Sequence, residues 1–83
     1  MNTTFNQTKT WDRNAWLTFR KHVGKNLKAC RKAQDLTLED LAEVSGYSVL
    51  TLAKWEGKRA NLDLYKVFCL AQALNIPPMV LLK

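Results

Sequence analysis

The sequence is short of several residue types, and each shortage excludes a class of protein. It has only two cysteines among 83 residues, Cys30 and Cys69, too few for a disulfide framework and too far apart for a zinc pattern. No apolar run approaches the roughly 18 residues of a membrane span. The polar N-terminus has no apolar signal-peptide core, so we do not expect secretion. A hydrophobic content of 47% is too high for intrinsic disorder. A small, cytoplasmic globular domain remains.

Groups able to perform catalysis are equally scarce. His22 is the sole histidine, and no carboxylate lies at helical spacing from it, so we interpret it as a surface residue. Cys30 occupies an apolar helix position and is interpreted as core filling. Cys69 lies off the main apolar stripe of its helix and is expected to be partly exposed, with no neighbour arranged to activate it. The acidic residues lack calcium-loop spacing, and no glycine-rich phosphate loop is present. We therefore expect no enzyme activity, no metal site and no cofactor.

Acidic residues are rare in the first part of the chain, where basic residues are common. The whole sequence carries 13 Lys and Arg against 7 Asp and Glu, a formal net charge of +6. Before residue 33 the only acid is Asp12, whereas the basic residues are Lys9, Arg13, Arg20, Lys21, Lys25, Lys28, Arg31 and Lys32. Four acids follow at Asp35, Glu39, Asp40 and Glu43, and base returns at Lys54, Lys58, Arg59 and Lys66. This pattern fits a nucleic-acid binder, and it also fits a solvated surface of mixed sign.

The first predicted helix follows a polar arm of about nine residues. Thr10 is a suitable N-cap for a helix that begins at Trp11. Apolar or semipolar positions then recur at three- and four-residue steps, at Trp16, Phe19, Val23, Leu27, Cys30 and Gln34. This spacing predicts one amphipathic helix to about Gln34, slightly weakened by Gly24. Asp35 comes next and tolerates the left-handed conformation of a helix C-terminus.

Four shorter helices are predicted after it, each from a cap and a stop signal. In order, these are a helix from Thr37 to Gly46, a helix Val49–Glu56 capped by Ser48 and stopped by Gly57, a helix from Asp63 through Leu74, and Met79–Leu82 after two prolines. The second helix is expected to supply apolar contacts from Leu38, Leu41, Ala42 and Val44, and the fourth runs through Leu64, Val67, Leu70, Ala71 and Leu74. No strand alternation or internal repeat is present, so the fold class is all-α with about five helices.

Residues 38–56 have the pattern of two short helices joined by a tight turn, a helix-turn-helix. Ala42 is small where the two helices approach, and Gly46 lies at the turn, where a positive φ favours glycine. Tyr47, Leu52 and Trp55 are predicted to fix the second helix to the core. The rest of that helix then faces outward, where it can enter a major groove.

The sequence from about Val23 to Leu82 resembles the Cro/CI-type (XRE family) helix-turn-helix domain of bacterial and phage regulators. The matching stretches are VGKNLKACRKAQDLTLEDLAEVSGYSVLTLAKWEGKR and LDLYKVFCLAQALNIPPMVLL. The resemblance implies a five-helix, lambda-repressor-like domain over residues 19–83. It also implies a homodimer on a palindromic operator, with the third helix in the major groove. Residues 1–18 would then be a basic and aromatic arm, or a helical extension of helix 1.

The resemblance also implies roles for individual residues. It pairs Arg31 with Glu56 in a partly buried structural salt bridge. The implied DNA-binding residues are Leu38, Ser48, Val49, Leu50, Thr51, Lys54, Lys58, Arg59 and Asn61. Family members often carry polar residues where this chain has Val49, Leu50 and Leu38, so specificity would depend on Thr51, Lys54, methyl contacts and DNA shape.

Two segments outside this region have alternative interpretations. The arm either contacts DNA, with Lys9 and Arg13 as the candidates, or its Trp11 and Trp16 pack back on the domain, the reading we favour for the tryptophans. The C-terminal helix is implied to form the dimer interface, through Met79, Val80, Leu81 and Leu82.

The sequence therefore predicts a nucleoid-associated, sequence-specific DNA-binding regulator of bacterial phage, plasmid or mobile-element type. Its simplest mechanism is repression by occlusion, often of its own promoter. The alternative is a protein-binding module of the same fold, such as an antitoxin or adaptor, that uses the apolar third helix and the C-terminal surface.

Overall fold

The computed structural model describes residues 12–57 and 60–83, and these form five α-helices without a strand. The helices are α1 (Arg13–Ala33), α2 (Leu38–Ser45), α3 (Val49–Glu56), α4 (Leu64–Leu74) and α5 (Met79–Leu82). The predicted all-α class with five helices is confirmed. Within the two described ranges, no helix is both long and apolar enough to cross a membrane.

Short-range side-chain caps determine where four of the helices begin. Thr37, Ser48 and Asp63 each accept a hydrogen bond from the backbone N–H three residues on, at 3.0, 3.1 and 2.8 Å. These three predicted caps are confirmed. The predicted start of α1 at Trp11 is wrong, because Asp12 caps α1 by accepting from the Asn14 N–H at 2.9 Å. Thr10 and Trp11 themselves lie outside the described residues.

Helices α1, α2 and α4 are each followed closely by a residue in the left-handed conformation. Asp35, Gly46 and Asn75 have φ values of 56°, 83° and 57°. Gly46 ends α2 and donates its N–H to the Ala42 carbonyl at 2.9 Å. A residue without Cβ adopts this conformation at no steric cost, as predicted for the turn. The chain can therefore reverse between α2 and α3 within three residues.

The hydrophobic core lies between all five helices, with α1 packed on α3 and α5, and α2 packed on α3 and α4. Its members are Leu27, Leu41, Leu52, Trp55, Val67, Leu70, Ala71, Leu74 and Leu81. The predicted apolar contact of Val44 is wrong, because its side chain is 60% exposed, and Leu64 at the start of α4 is 80% exposed. Both lie on the edge of their apolar stripe, where periodicity alone does not show which neighbour covers a side chain.

The N-terminal half of α1 extends beyond this core. The helix runs without interruption through residue 18, so residues 13–18 extend helix 1. Trp16 and Phe19 are 41% and 42% exposed and contact each other, with ring centroids 6.2 Å apart. The favoured interpretation that Trp16 packs back into the core is therefore wrong. Trp16 continues the buried stripe of α1 past the point where other helices cover it.

Gly24 allows α1 to approach the end of α3 closely. A Cβ atom built on Gly24 would lie 2.5 Å from the Trp55 carbonyl oxygen and 2.8 Å from that of Gly57. These oxygens belong to the backbone and cannot rotate away as a side chain can. The glycine that weakens the helix therefore has a packing role.

Polar side chains of α1 fix the ends of the later helices. The Asn26 amide donates to the Leu81 carbonyl at 3.0 Å, and the Gln34 amide donates to the Leu74 carbonyl at 2.6 Å. The His22 ring contacts the Lys83 carbonyl oxygen. Helix-end carbonyls have no partner within their own helix, so these bonds satisfy them and fix α4 and α5 against α1.

Candidate nucleic-acid interface

The candidate interface is built on α2, the turn after it, and α3. Leu52 and Trp55 lie on one side of α3 and are buried, and Leu41 of α2 is fully buried beside them. Tyr47, in the turn, packs edge-on against Trp55 with centroids 4.9 Å apart and ring planes at 72°. These contacts hold α3 by its inner face and leave the opposite face uncovered.

The uncovered face of α3 has an apolar centre and a basic end. Leu50 is 69% exposed, and Ala53 and Lys54 are also exposed. Val49 and Thr51 are half-buried at the edges of this face. A leucine can contact a thymine methyl group, and a lysine can contact guanine acceptors or a phosphate. The face can therefore enter a groove, with few hydrogen-bonding groups at its centre.

The hydroxyl groups at the start of α3 are coupled. Ser48 Oγ accepts from the Thr51 backbone N–H and donates to Thr51 Oγ1 at 2.9 Å. The Ser48 side chain is exposed. Because Thr51 Oγ1 accepts from Ser48, its own proton stays free to donate to an external acceptor. Both residues thus stand at the N-terminal end of α3, where the helix dipole favours an anion.

Arg31 and Glu56 fix α1 to the end of α3. Arg31 Nε and Nη2 donate to the two carboxylate oxygens of Glu56 at 2.7 and 2.9 Å. Arg31 Nη1 donates to the Leu36 carbonyl at 2.7 Å. The hydrogen bonds to Glu56 raise the pKa of the Arg31 guanidinium, against the opposing effect of burial. The side chains are 9% and 6% exposed, so loss of one partner is expected to cost about 3–5 kcal/mol.

The other predicted DNA contacts have different environments. Leu38 is half-buried and packs against the core, so its side chain is only partly available. Arg13 is exposed, but it precedes the contact at Gly24 by about 16 Å of helix axis. Asn61 is exposed in the connection before α4. The remaining candidates, Lys9, Lys58 and Arg59, lie outside the described residues.

The predicted dimer residues of α5 do not share one environment. Leu81 is fully buried in the core of its own chain, so it cannot also offer surface to a second copy. The prediction that Leu81 forms a dimer contact is therefore wrong, and Leu81 connects α5 to the core. Met79 is 64% exposed, and Val80 and Leu82 are half-buried. Only these three retain surface for an intermolecular contact.

The histidine and the cysteines are placed as follows. His22 is exposed on α1. Cys30 is half-buried, and burial raises the pKa of its thiol. Cys69 is also half-buried, and a hydrogen bond with it raises the pKa of the Tyr65 hydroxyl. Over residues 12–57 and 60–83, no three His, Cys, Asp or Glu side chains are grouped to hold a metal ion.

Some residues that build the site were missed in the sequence. Gly24 weakens helix 1 by its propensity alone, yet it sets the distance to α3. Ala60 is 3% exposed although it lies in a predicted loop. Asn26 offers no local signal, because the Leu81 carbonyl to which it donates lies 55 residues later in the chain. Gly24 gave a weak signal, because a helical glycine usually has a packing reason.

Comparisons with known proteins agree with this geometry. Residues 27–81 match the family model HTH_3, described as Helix-turn-helix. The restriction-modification controller protein C.AhdI from Aeromonas hydrophila is 33% identical, with a TM-score of 0.70, over 74% of this chain and 92% of that one. An HTH_3 family transcriptional regulator from Vibrio cholerae has a TM-score of 0.74 at 22% identity, over 78% of this chain.

The second comparison concerns the fold alone, and this chain spans 36% of the length of the Vibrio cholerae regulator. No curated protein matches. The family match covers more than half of the chain, from Leu27 in α1 to Leu81 in α5, and so includes α2, the turn and α3. The chain therefore belongs to the HTH_3 family of helix-turn-helix domains.

Proposed function

We propose that this protein is a sequence-specific, double-stranded DNA-binding transcriptional regulator with α3 in the major groove. The observation that carries the proposal is the exposed face of α3, held from behind by Leu52 and Trp55. A helix held rigidly by one face and uncovered on the other can be inserted into a groove of about 12 Å width. The likeness to a restriction-modification controller protein along most of its length supports a regulatory role.

The contacts divide into reading and positioning groups. Lys54 and Thr51 supply hydrogen bonds to base edges, while Leu50 and Val49 supply methyl contacts. Ser48 and Asn61 contact phosphate, together with Lys58 and Arg59. Because the centre of the face is apolar, part of the specificity comes from DNA shape at positions that the side chains do not bond.

We further propose that two copies act on a palindromic operator. Repression by occlusion then needs no additional domain, and a phage, plasmid or other mobile element is the expected context. Exposed apolar surface remains on α5 at Met79, and Phe19 of α1 is also exposed. These helices are joined by the contact between His22 and Lys83. A two-fold contact along α5 would cover this surface.

In vitro selection of binding sites from a pool of random duplexes tests the proposal. The wild-type protein is expected to enrich one sequence. Thr51→Ala and Lys54→Ala are expected to lower the ratio of selected-site to random-site affinity by roughly 5- to 10-fold, near the lower end for one altered base contact. Lys83→Ala removes a charge away from α3 and is the control. Equal losses on both DNAs would remove Thr51 and Lys54 from base reading.

A second candidate function is a protein-binding module, such as an antitoxin or adaptor. The observation that favours it is the exposed apolar surface of α3 and α4, where Leu50, Leu64 and Phe68 are 69%, 80% and 50% exposed. The salt dependence of the binding affinity distinguishes the two functions. DNA binding weakens steeply between about 50 and 200 mM salt, whereas an apolar protein contact responds little.

A further inference from the structure

Four lysines form a stripe along the exposed side of α1. They are Lys21, Lys25, Lys28 and Lys32, and all four are exposed. Their spacing of four, three and four residues places them on one face of the helix. The stripe extends over eleven residue-to-residue steps, or about 16 Å of helix axis. We call these four residues the lysine stripe.

The lysine stripe is unfavourable for the helix on its own. Like charges three and four residues apart repel each other, and α1 contains no acidic residue to separate them. Among the described residues, the salt bridges are Arg31–Glu56 and Lys66–Asp63, so no lysine of the stripe is paired there. A polyanion bound outside the chain would reverse this repulsion.

Two lysines of the stripe, Lys21 and Lys25, also border the C-terminal end of α3. A groove of about 480 Å³ between α1 and the end of α3 is lined by Thr18, Lys21, His22, Lys25, Glu56 and Gly57. Glu56 is the acid in this lining, and both of its oxygens are bonded to Arg31. The groove therefore keeps a net positive lining directly beside the helix proposed to read DNA.

We propose that the lysine stripe is a second DNA-binding surface, which holds the sugar–phosphate backbone flanking the site read by α3. The proposal rests on the proposed function of α3. One DNA strand carries a phosphate about every 3.4 Å along the axis, so 16 Å of lysines matches roughly five phosphates. Lysine acts there as a point charge and reads no sequence. The stripe thus increases the length of DNA that the protein contacts, without changing the sequence that the protein prefers.

The test compares two duplexes that contain the selected site, one ending at the site and one with ten additional base pairs on each side. Lys25→Gln with Lys28→Gln removes two lysines of the stripe. Lys66→Gln removes a lysine of α4, away from α1, and is the charge control. Thermal unfolding of each variant establishes that it is folded before binding is measured as a function of salt.

On the long duplex, log K of the stripe variant is expected to fall less steeply with log salt than log K of the wild type. The magnitude of the negative slope should decrease by about 1.8, or about 0.9 for each lost phosphate contact. Its slope on the short duplex should equal that of the wild type, and the control should change neither. An unchanged slope on the long duplex, or an equal loss on both duplexes, would overturn the proposal. If the wild type selects no site, the proposed function fails. In that case, the slopes of log K against log salt for the wild type and the stripe variant are measured on a 40-base-pair random duplex. A difference between them shows that the stripe contacts DNA, and equal slopes show that it does not.

Discussion

Two opposing physical effects determine whether Gly24→Ala raises or lowers the free energy of unfolding. In an exposed helix interior, alanine is about 1 kcal/mol more favourable than glycine. At this position the new methyl group would lie 2.5 Å from one backbone oxygen and 2.8 Å from another. Neither can move unless α1 moves away from the end of α3. Inserting a methyl group into such a contact typically costs about 1–3 kcal/mol.

Because both contacts are shorter than any that real Cβ atoms adopt, we take the cost near the upper end of this range. The net result is a loss of about 2 kcal/mol in the free energy of unfolding. For a domain of this size, that loss lowers Tm by roughly 8–16 °C. Urea and thermal unfolding followed by circular dichroism at 222 nm measure both quantities.

Lys28→Ala is a suitable control, because it changes an exposed position of the same helix to alanine without a new contact. It should alter stability by no more than about 0.5 kcal/mol. A Gly24→Ala protein more stable than the wild type would show that helix propensity prevails. The close approach of α1 and α3 would then be incorrect.

Two further predictions concern α5 and α2. Leu81→Ala should lower the free energy of unfolding, measured in urea, by about 2–5 kcal/mol, since the side chain is fully buried. Met79→Ala is the control and should change the free energy of unfolding of a single chain by less than about 0.5 kcal/mol. Equal effects of the two substitutions would contradict the placement of α5. Hydrogen bonds from Thr37 lower the pKa of Asp40, so its stabilisation is complete above the unfolded pKa and is lost as pH falls through the lower folded value. The stability difference between wild type and Asp40→Asn should therefore shrink below about pH 4, and a difference independent of pH would be evidence against this capping box.

The local parts of the fold could be predicted because their causes lie within a few residues. The caps at Thr37, Ser48 and Asp63 each bond a backbone N–H three residues on, so the sequence alone contains both partners. The left-handed ends at Asp35 and Gly46 likewise depend on the residue itself. The outward face of α3 followed from the position of its two apolar anchors.

The remaining features depend on which helices meet, and periodicity does not contain that information. Trp16 and Leu81 both lie on apolar stripes, yet one is 41% exposed and the other is fully buried. The difference is that other helices cover α5 but not the first turns of α1. Gly24 has the same character, because its role depends on backbone oxygens more than 30 residues later in the chain. Contact of the site residues with DNA stays a prediction.

The burial of Leu81 has a consequence for how the protein responds to its own abundance. Because α5 completes the core within one chain, a chain folds without having to meet another. Folding is then first order in the chain, and any pairing of chains is a separate equilibrium that depends on their concentration. If two copies act together on a palindromic operator, as proposed above, occupancy of that operator would rise with roughly the square of the concentration of single chains. A gene repressed in this way would therefore be transcribed while the protein is scarce and repressed over a narrow range of protein concentration.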